Sequence, residues 1–103
     1  MRTKEAQENI CVDCLRLLGD FWTLRIIDAL KKEQKRYCEI QRATDNLNPV
    51  TLTDRLQKLE KARIIERIED SEGKISVAYR LTDLGKETLP VLKEINKFSE
   101  KIT

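Results

Sequence analysis

The sequence predicts a mainly α-helical chain with one small β-hairpin, an α+β fold forming a single unit over residues 1–103. Three observations predict it. Apolar residues recur at three- and four-residue spacings through most of the chain, as helices with one buried face require. The period shortens to two only between residues 64 and 81. With 3 Gly and 2 Pro, there is too little turn chemistry for a sandwich of many short strands.

Residues 10–18 read as a short helix with Ile10, Cys14, Leu17 and Leu18 on one face. Gly19 is suited to stop it and Asp20 to cap the next helix. Residues 21–30 form that second helix, with Trp22, Ile26, Ala29 and Leu30 to one side; Trp22 is read as a core anchor. Lys31 and Lys32 in its last turn complement the helix dipole. Residues 33–37 connect to a brief helix over 38–43, with Ile40 inward and Cys38 also expected in the core.

Asn48-Pro49 opens the clearest helix, about 48–62, since Asn is a good N-cap and Pro suits the first helical position. Leu52, Leu56 and Leu59, at i, i+4 and i+7, give one buried stripe. Residues 64–69 and 75–81 read as strands joined by a turn at 70–74 containing Gly73. Thr82 then caps a last helix running to about Lys101. Its stripe is Leu84, Leu89, Leu92, Ile95, Phe98 and Ile102, and Pro90 is expected to bend it from within.

Composition removes several functional classes. There is no histidine, hence no His-based triad or general base and few routes to a zinc site. No Gly-rich phosphate loop exists. An enzyme, a metal site and a cofactor are all unexpected. No run of about 18 apolar residues predicts a membrane span, and residues 1–10 lack the apolar core of a secretory leader, so a cytoplasmic location is expected. Three cysteines make a disulfide framework improbable there. The net charge is only +2, yet residues 31–67 hold 10 basic and 6 acidic side chains while the flanking thirds are each net −1. A basic middle third suits a polyanion, although a solvated mixed-charge surface reads the same way.

The order of elements, three helices, a capped helix, a hairpin and a final helix, is that of a winged helix-turn-helix with added N- and C-terminal dimerisation helices. The capped helix would enter the major groove and the hairpin would lie along the backbone or minor groove. Candidate contacts with double-stranded DNA are Asn48, Val50, Thr51, Thr53 and Asp54 near the helix tip, with Lys35, Arg36, Arg55, Lys58, Lys74 and Ser76 around them. Threonine bonds bases or phosphates and its methyl meets the thymine methyl; Asp54 repels phosphate but accepts from cytosine N4. The cations position the protein without specifying sequence.

The chain resembles the HxlR family of winged-helix transcriptional regulators, relatives of the MarR group. The resemblance runs through Cys11 and Gly19-Asp20-Phe21-Trp22-Thr23-Leu24, Arg36-Tyr37, the stretch Leu52-Thr53-Asp54-Arg55-Leu56-Gln57-Lys58-Leu59-Glu60, and Tyr79-Arg80-Leu81-Thr82-Asp83-Leu84-Gly85 followed by Leu89-Pro90-Val91-Leu92. Departures are Phe21 where a basic residue is usual, the Ala62-Arg63 region where a glycine is usual, and a turn at 70–76 without prolines. The resemblance implies a homodimer that binds a pseudo-palindromic operator and regulates nearby genes. It also aligns Cys11 with a position at which some members sense oxidants or electrophiles, implying a small-molecule or oxidant effector.

A dimer is also expected from the last stripe, which is longer than a small core needs and would stay exposed unless paired. Its expected interface is Ile10, Leu89, Leu92, Ile95, Phe98 and Ile102. Cys11 and Cys14 stand open between three readings: buried small hydrophobes, a redox-sensing pair at a helix N-terminus, and a metal site, for which only Cys38 and carboxylates remain as further ligands. A winged-helix module for protein–protein interaction is the alternative, motivated by the modest net charge and by Asp54.

Overall fold

The computed structural model describes residues 11–69 and 77–103. In chain order the elements are α1 (Val12–Leu18), α2 (Phe21–Ala29), β1 (Lys35–Arg36), α3 (Tyr37–Ala43), α4 (Pro49–Lys61), β2 (Ile65–Glu69), β3 (Val77–Leu81), α5 (Asp83–Lys86) and α6 (Leu89–Ile102). The expected turn at 70–74 and Ile10 lie outside the described residues.

The core is aliphatic. Ile26, Ile27, Leu30, Ile40, Leu47, Leu52, Leu56, Leu59, Ile64, Ile65 and Leu81 form one buried cluster, with Leu17, Leu18, Trp22, Tyr37, Leu89 and Leu92 packed on it. All three predicted leucines of α4 are in it. In α2 the buried face is Thr23, Ile26 and Ile27, with Leu30 just beyond; Trp22 and Ala29 are half-buried. Cys38 is exposed, contrary to its expected core position, and Cys14 is exposed as well, against the buried reading of it. Only the last turn of α1 meets the core, so Cys14, one turn earlier, is uncovered. Cys38 lies two positions before inward-facing Ile40, about 200° around the helix.

The sheet has three antiparallel strands in the order β1-β3-β2. The alternation predicts β2 and β3 as strands of one hairpin, and they pair antiparallel with Ile65 opposite Leu81 and Glu69 opposite Val77. The third strand, Lys35 opposite Tyr79 and Arg36 opposite Ala78, stands where the sequence predicts a bare connection. It ties the start of α3 to the hairpin.

The final helix is two helices. Thr82 caps α5, its Oγ1 accepting from the Gly85 N–H at 2.9 Å. Gly85 is buried against Ile64, just before β2, where a Cβ would overlap the Ile64 carbonyl oxygen. The Thr88 hydroxyl donates to the Gly85 carbonyl at 2.6 Å and closes the turn. Pro90 then sits in the first turn of α6. It therefore begins a helix instead of bending one, because a residue without an N–H costs nothing where no helical partner is due.

α4 ends on a Schellman motif. The Ile64 N–H donates to the Leu59 carbonyl at 2.9 Å and the Arg63 N–H to the Glu60 carbonyl at 3.0 Å. Arg63 holds the left-handed position, φ 63°, that glycine occupies most readily. A side chain there costs roughly 1–2 kcal/mol, against about 0.5–1 kcal/mol for glycine's extra freedom in the unfolded chain. Arg63→Gly is therefore expected to raise the unfolding free energy by about 0.5–1 kcal/mol, measured by urea titration. An unchanged or lowered midpoint would contradict the role assigned to this residue.

Candidate nucleic-acid interface

The tip of α4 is built by local chemistry. Asn48 Oδ1 accepts from the Val50 N–H at 2.8 Å, and Pro49 fills the first turn. With Leu52, Leu56 and Leu59 turned inward, Val50 is 79 % exposed and Thr53 and Gln57 also face solvent. The turn before α4 is braced. Asp45 and Asn46 are left-handed, with φ near 59° and 58°, conformations that Asp and Asn tolerate. The Asn46 N–H donates to the Gln41 carbonyl at 2.8 Å, and Gln41 Nε2 donates to the Leu47 carbonyl at 2.9 Å. From α2, Arg25 donates to Asp45 Oδ2 at 3.2 Å and to the Ala43 carbonyl at 3.1 Å.

A carboxylate at the start of α2 also holds α4. Asp20 Oδ2 accepts from both the backbone N–H and the hydroxyl of Thr23 at 2.9 Å, capping α2. The same carboxylate receives Arg55 twice, Nε at 2.9 Å on Oδ2 and Nη2 at 3.2 Å on Oδ1. Hydrogen bonding from Arg55, with help from Thr23, outweighs the effect of burial and lowers the Asp20 pKa from 3.8 to about 2. Arg55 is raised in turn, by Asp20 first and Asp54 second.

Arg55 is thus not a free cation awaiting phosphate, as its sequence position suggests; it joins two helices. Its third arm, Nη1, donates to Asp54 Oδ2 at 2.7 Å, and Lys58 Nζ lies 3.2 Å from the same oxygen. These contacts, Lys58 first, lower the Asp54 pKa. The charge that made Asp54 awkward on a DNA-facing helix is met by its own neighbours.

Of the other expected contacts, Arg36 is exposed and its N–H donates to Glu39 Oε1 at 2.8 Å. Lys35 is half-buried, 3.5 Å from Glu33 Oε1, and Thr51 is half-buried. Lys74 and Ser76 lie outside the described residues. Two residues that matter here are not legible as site residues in the sequence. Asp20 reads only as a cap, since nothing local links it to a partner 35 positions on. Tyr37, whose hydroxyl lies 3.3 Å from both the Pro49 carbonyl and Thr53 Oγ1, reads as part of a connection.

A second surface is apolar. On α6, Val91, Ile95, Phe98 and Ile102 are exposed, as are Val12 and Leu15 on α1. Pro90, Val91, Glu94, Ile95 and Phe98 line a shallow depression of about 530 Å³. Leu89 and Leu92 turn the other way, onto the core. Cys11 is half-buried at the start of α1. Among the described residues no group of three or more His, Cys, Asp or Glu side chains could hold a metal ion, and no helix is long and apolar enough to cross a membrane.

The model of the HxlR-like helix-turn-helix family matches residues 17–103. An uncharacterized HTH-type transcriptional regulator of Bacillus subtilis, YvaP, is 34% identical over 83 residues, 81% of this chain and 77% of that one. The B. subtilis HTH-type transcriptional regulator YodB is 32% identical over 85 residues, 82% of this chain and 76% of its own. The solved reduced form of YodB superposes with a TM-score of 0.79 at 28% identity, covering 98% of this chain and 94% of that one. A MarR-family regulator from Porphyromonas gingivalis superposes with a TM-score of 0.80 at 29% identity over 97% and 95%. The fold is that of these winged-helix regulators.

The depressed Asp20 pKa gives the brace a pH signature. A carboxylate whose pKa falls on folding adds stability that is complete above about pH 4 and is lost as pH drops toward 2. Asp20→Asn keeps a capping oxygen but loses the ion pair. It is expected to cost about 1 kcal/mol at pH 7, a value discounted for partial exposure. The gap from wild type should close between pH 4 and pH 2 in urea unfolding. A gap that does not change across that window would exclude the ion pair as its source.

Proposed function

The chain belongs to the HxlR-like helix-turn-helix family of transcriptional regulators, and from that premise we propose that it binds a pseudo-palindromic DNA operator as a homodimer. One observation carries this reading: the tip of α4 is exposed while cap, turn and leucine stripe hold it in a single orientation. α4 enters the major groove, with Asn48, Val50, Thr51 and Thr53 toward base edges. Arg36, Lys35 and Lys58 serve phosphates, and Lys74 and Ser76 extend the contact along the backbone or minor groove. Arg55 contributes by setting the pose of α4. Neutralisation of Asp54 by Lys58 and Arg55 weakens the case for a module that binds only protein.

The exposed face of α6, with Val12 and Leu15 of α1, is the surface for pairing. Unpaired it would be an apolar patch of the kind that marks an interface. A twofold mate would set two α4 tips about one DNA turn, ~34 Å, apart or a multiple of it.

A thiol response through Cys11 is the second reading. Cys11 opens α1, next to the face proposed for pairing, and YodB has been solved both reduced and diamide-treated. The comparison that decides is operator affinity with and without diamide, for wild type and Cys11→Ser. Loss of affinity in wild type alone supports the reading, and equal behaviour removes it.

Binding by phosphate contacts should be steeply salt-dependent. With about six phosphates engaged, affinity should fall roughly 10³-fold between 50 and 200 mM salt, as read by fluorescence anisotropy on duplexes selected from random DNA; a flat response would contradict the docking. Phe98→Glu places a charge on the pairing face. Sedimentation should show a dimer for wild type and a monomer for the variant, with operator affinity lower by about 100-fold or more. A dimeric variant would move the interface elsewhere.

A further inference from the structure

Tyr37 opens α3 with its ring against the core, and its hydroxyl reaches the first turn of α4. The phenolic oxygen is 3.3 Å from the Pro49 carbonyl oxygen and 3.3 Å from Thr53 Oγ1. Thr53 is exposed on that turn. A phenol carries a single hydrogen, and a carbonyl offers none. The contact with Pro49 therefore uses the hydrogen of Tyr37. The contact with Thr53 then needs the threonine's own hydrogen, donated back to the phenolic oxygen. What Thr53 Oγ1 presents outward is lone pairs alone.

The geometry points to Tyr37 as a specificity-determining positioning residue that fixes the Thr53 hydroxyl as an acceptor, so that α4 selects a base carrying an amino group, adenine N6 or cytosine N4, beneath Thr53. This rests on the major-groove reading of α4 above. An unconstrained threonine hydroxyl rotates to donate or accept and discriminates poorly between amino and keto edges. Held by Tyr37, it meets keto oxygens of guanine or thymine with lone pair against lone pair. It is equally unsuited to phosphate, which needs a donor, so its contribution goes to sequence choice and not to general affinity.

The test uses the full chain as wild type, Tyr37→Phe, Thr53→Val and the double variant. Each is titrated against the preferred duplex from a random library and against versions with every base pair in turn at the position whose readout Thr53→Val alters. Wild type is expected to favour adenine or cytosine over guanine or thymine there by about 5–10-fold. Tyr37→Phe should reduce this to about 2-fold or less, with melting temperature and affinity for random-sequence duplex little changed. In the Thr53→Val background, Tyr37→Phe should have no further effect on preference. Three results overturn the inference: a wild-type preference for guanine or thymine, a Tyr37→Phe loss that is equal on all duplexes, or additive effects of the two substitutions. If wild type binds duplexes without any sequence preference, or binds none, the major-groove reading itself fails and takes this inference with it.

Discussion

The burial of Leu52, Leu56 and Leu59 fixes the roll of α4 about its axis, and every property of the proposed reading surface depends on that roll. All three side chains are within 2 % of complete burial, worth about 1.5–3 kcal/mol each. The Asp20–Arg55 pair adds direction but, being partly exposed, supplies less than any two of the leucines. The apolar stripe decides which way the helix faces. The ion pair then ties that setting to the N-terminus of α2, so that α2 and α4 are held together.

Around this constraint the polar groups are shared economically. One carboxylate, Asp20, caps α2 and receives Arg55. One hydroxyl, on Thr82, caps α5 and donates to the Arg63 carbonyl at 2.6 Å just past α4. Arg25 secures the α3–α4 turn while lying 5.6 Å from the centre of the Phe21 ring. Among the described residues no buried side-chain nitrogen or oxygen lacks a partner, as a small core with little spare stability requires. The apolar surface left over is largest on α1 and α6, where Val12, Leu15, Val91, Ile95, Phe98 and Ile102 are exposed.

Most of the fold is legible in the sequence because its signals are local. Asn48-Pro49 and the leucine spacing announce α4, and alternation announces β2 and β3. The elements that escape do so for physical reasons. β1 is two residues long, too short for any period, and exists through its pairing with β3. Pro90 is conspicuous but its role is misread, since the same residue bends a helix from within or begins one, and the choice lies with Thr88 and Gly85. Cys38 is a small apolar residue in a helix only seven residues long, where inward and outward faces cannot be told apart by composition. The exposed positions Val50 and Thr53 can be read ahead of the structure; the anchoring of Arg55 by Asp20 cannot, because the partners are 35 residues apart and meet only after folding.

In the proposed dimer, two copies of the α4 tip enter successive major grooves on one face of a duplex. Dimethyl sulfate methylates guanine N7, an atom of the major groove, so protection of that atom by bound protein reports whether the α4 tips occupy the groove. The expected footprint is two short clusters of protected guanines related by dyad symmetry, their centres separated by about 10 base pairs or a whole multiple of that. Binding with no change in N7 methylation, or with a single unpaired cluster, would contradict it.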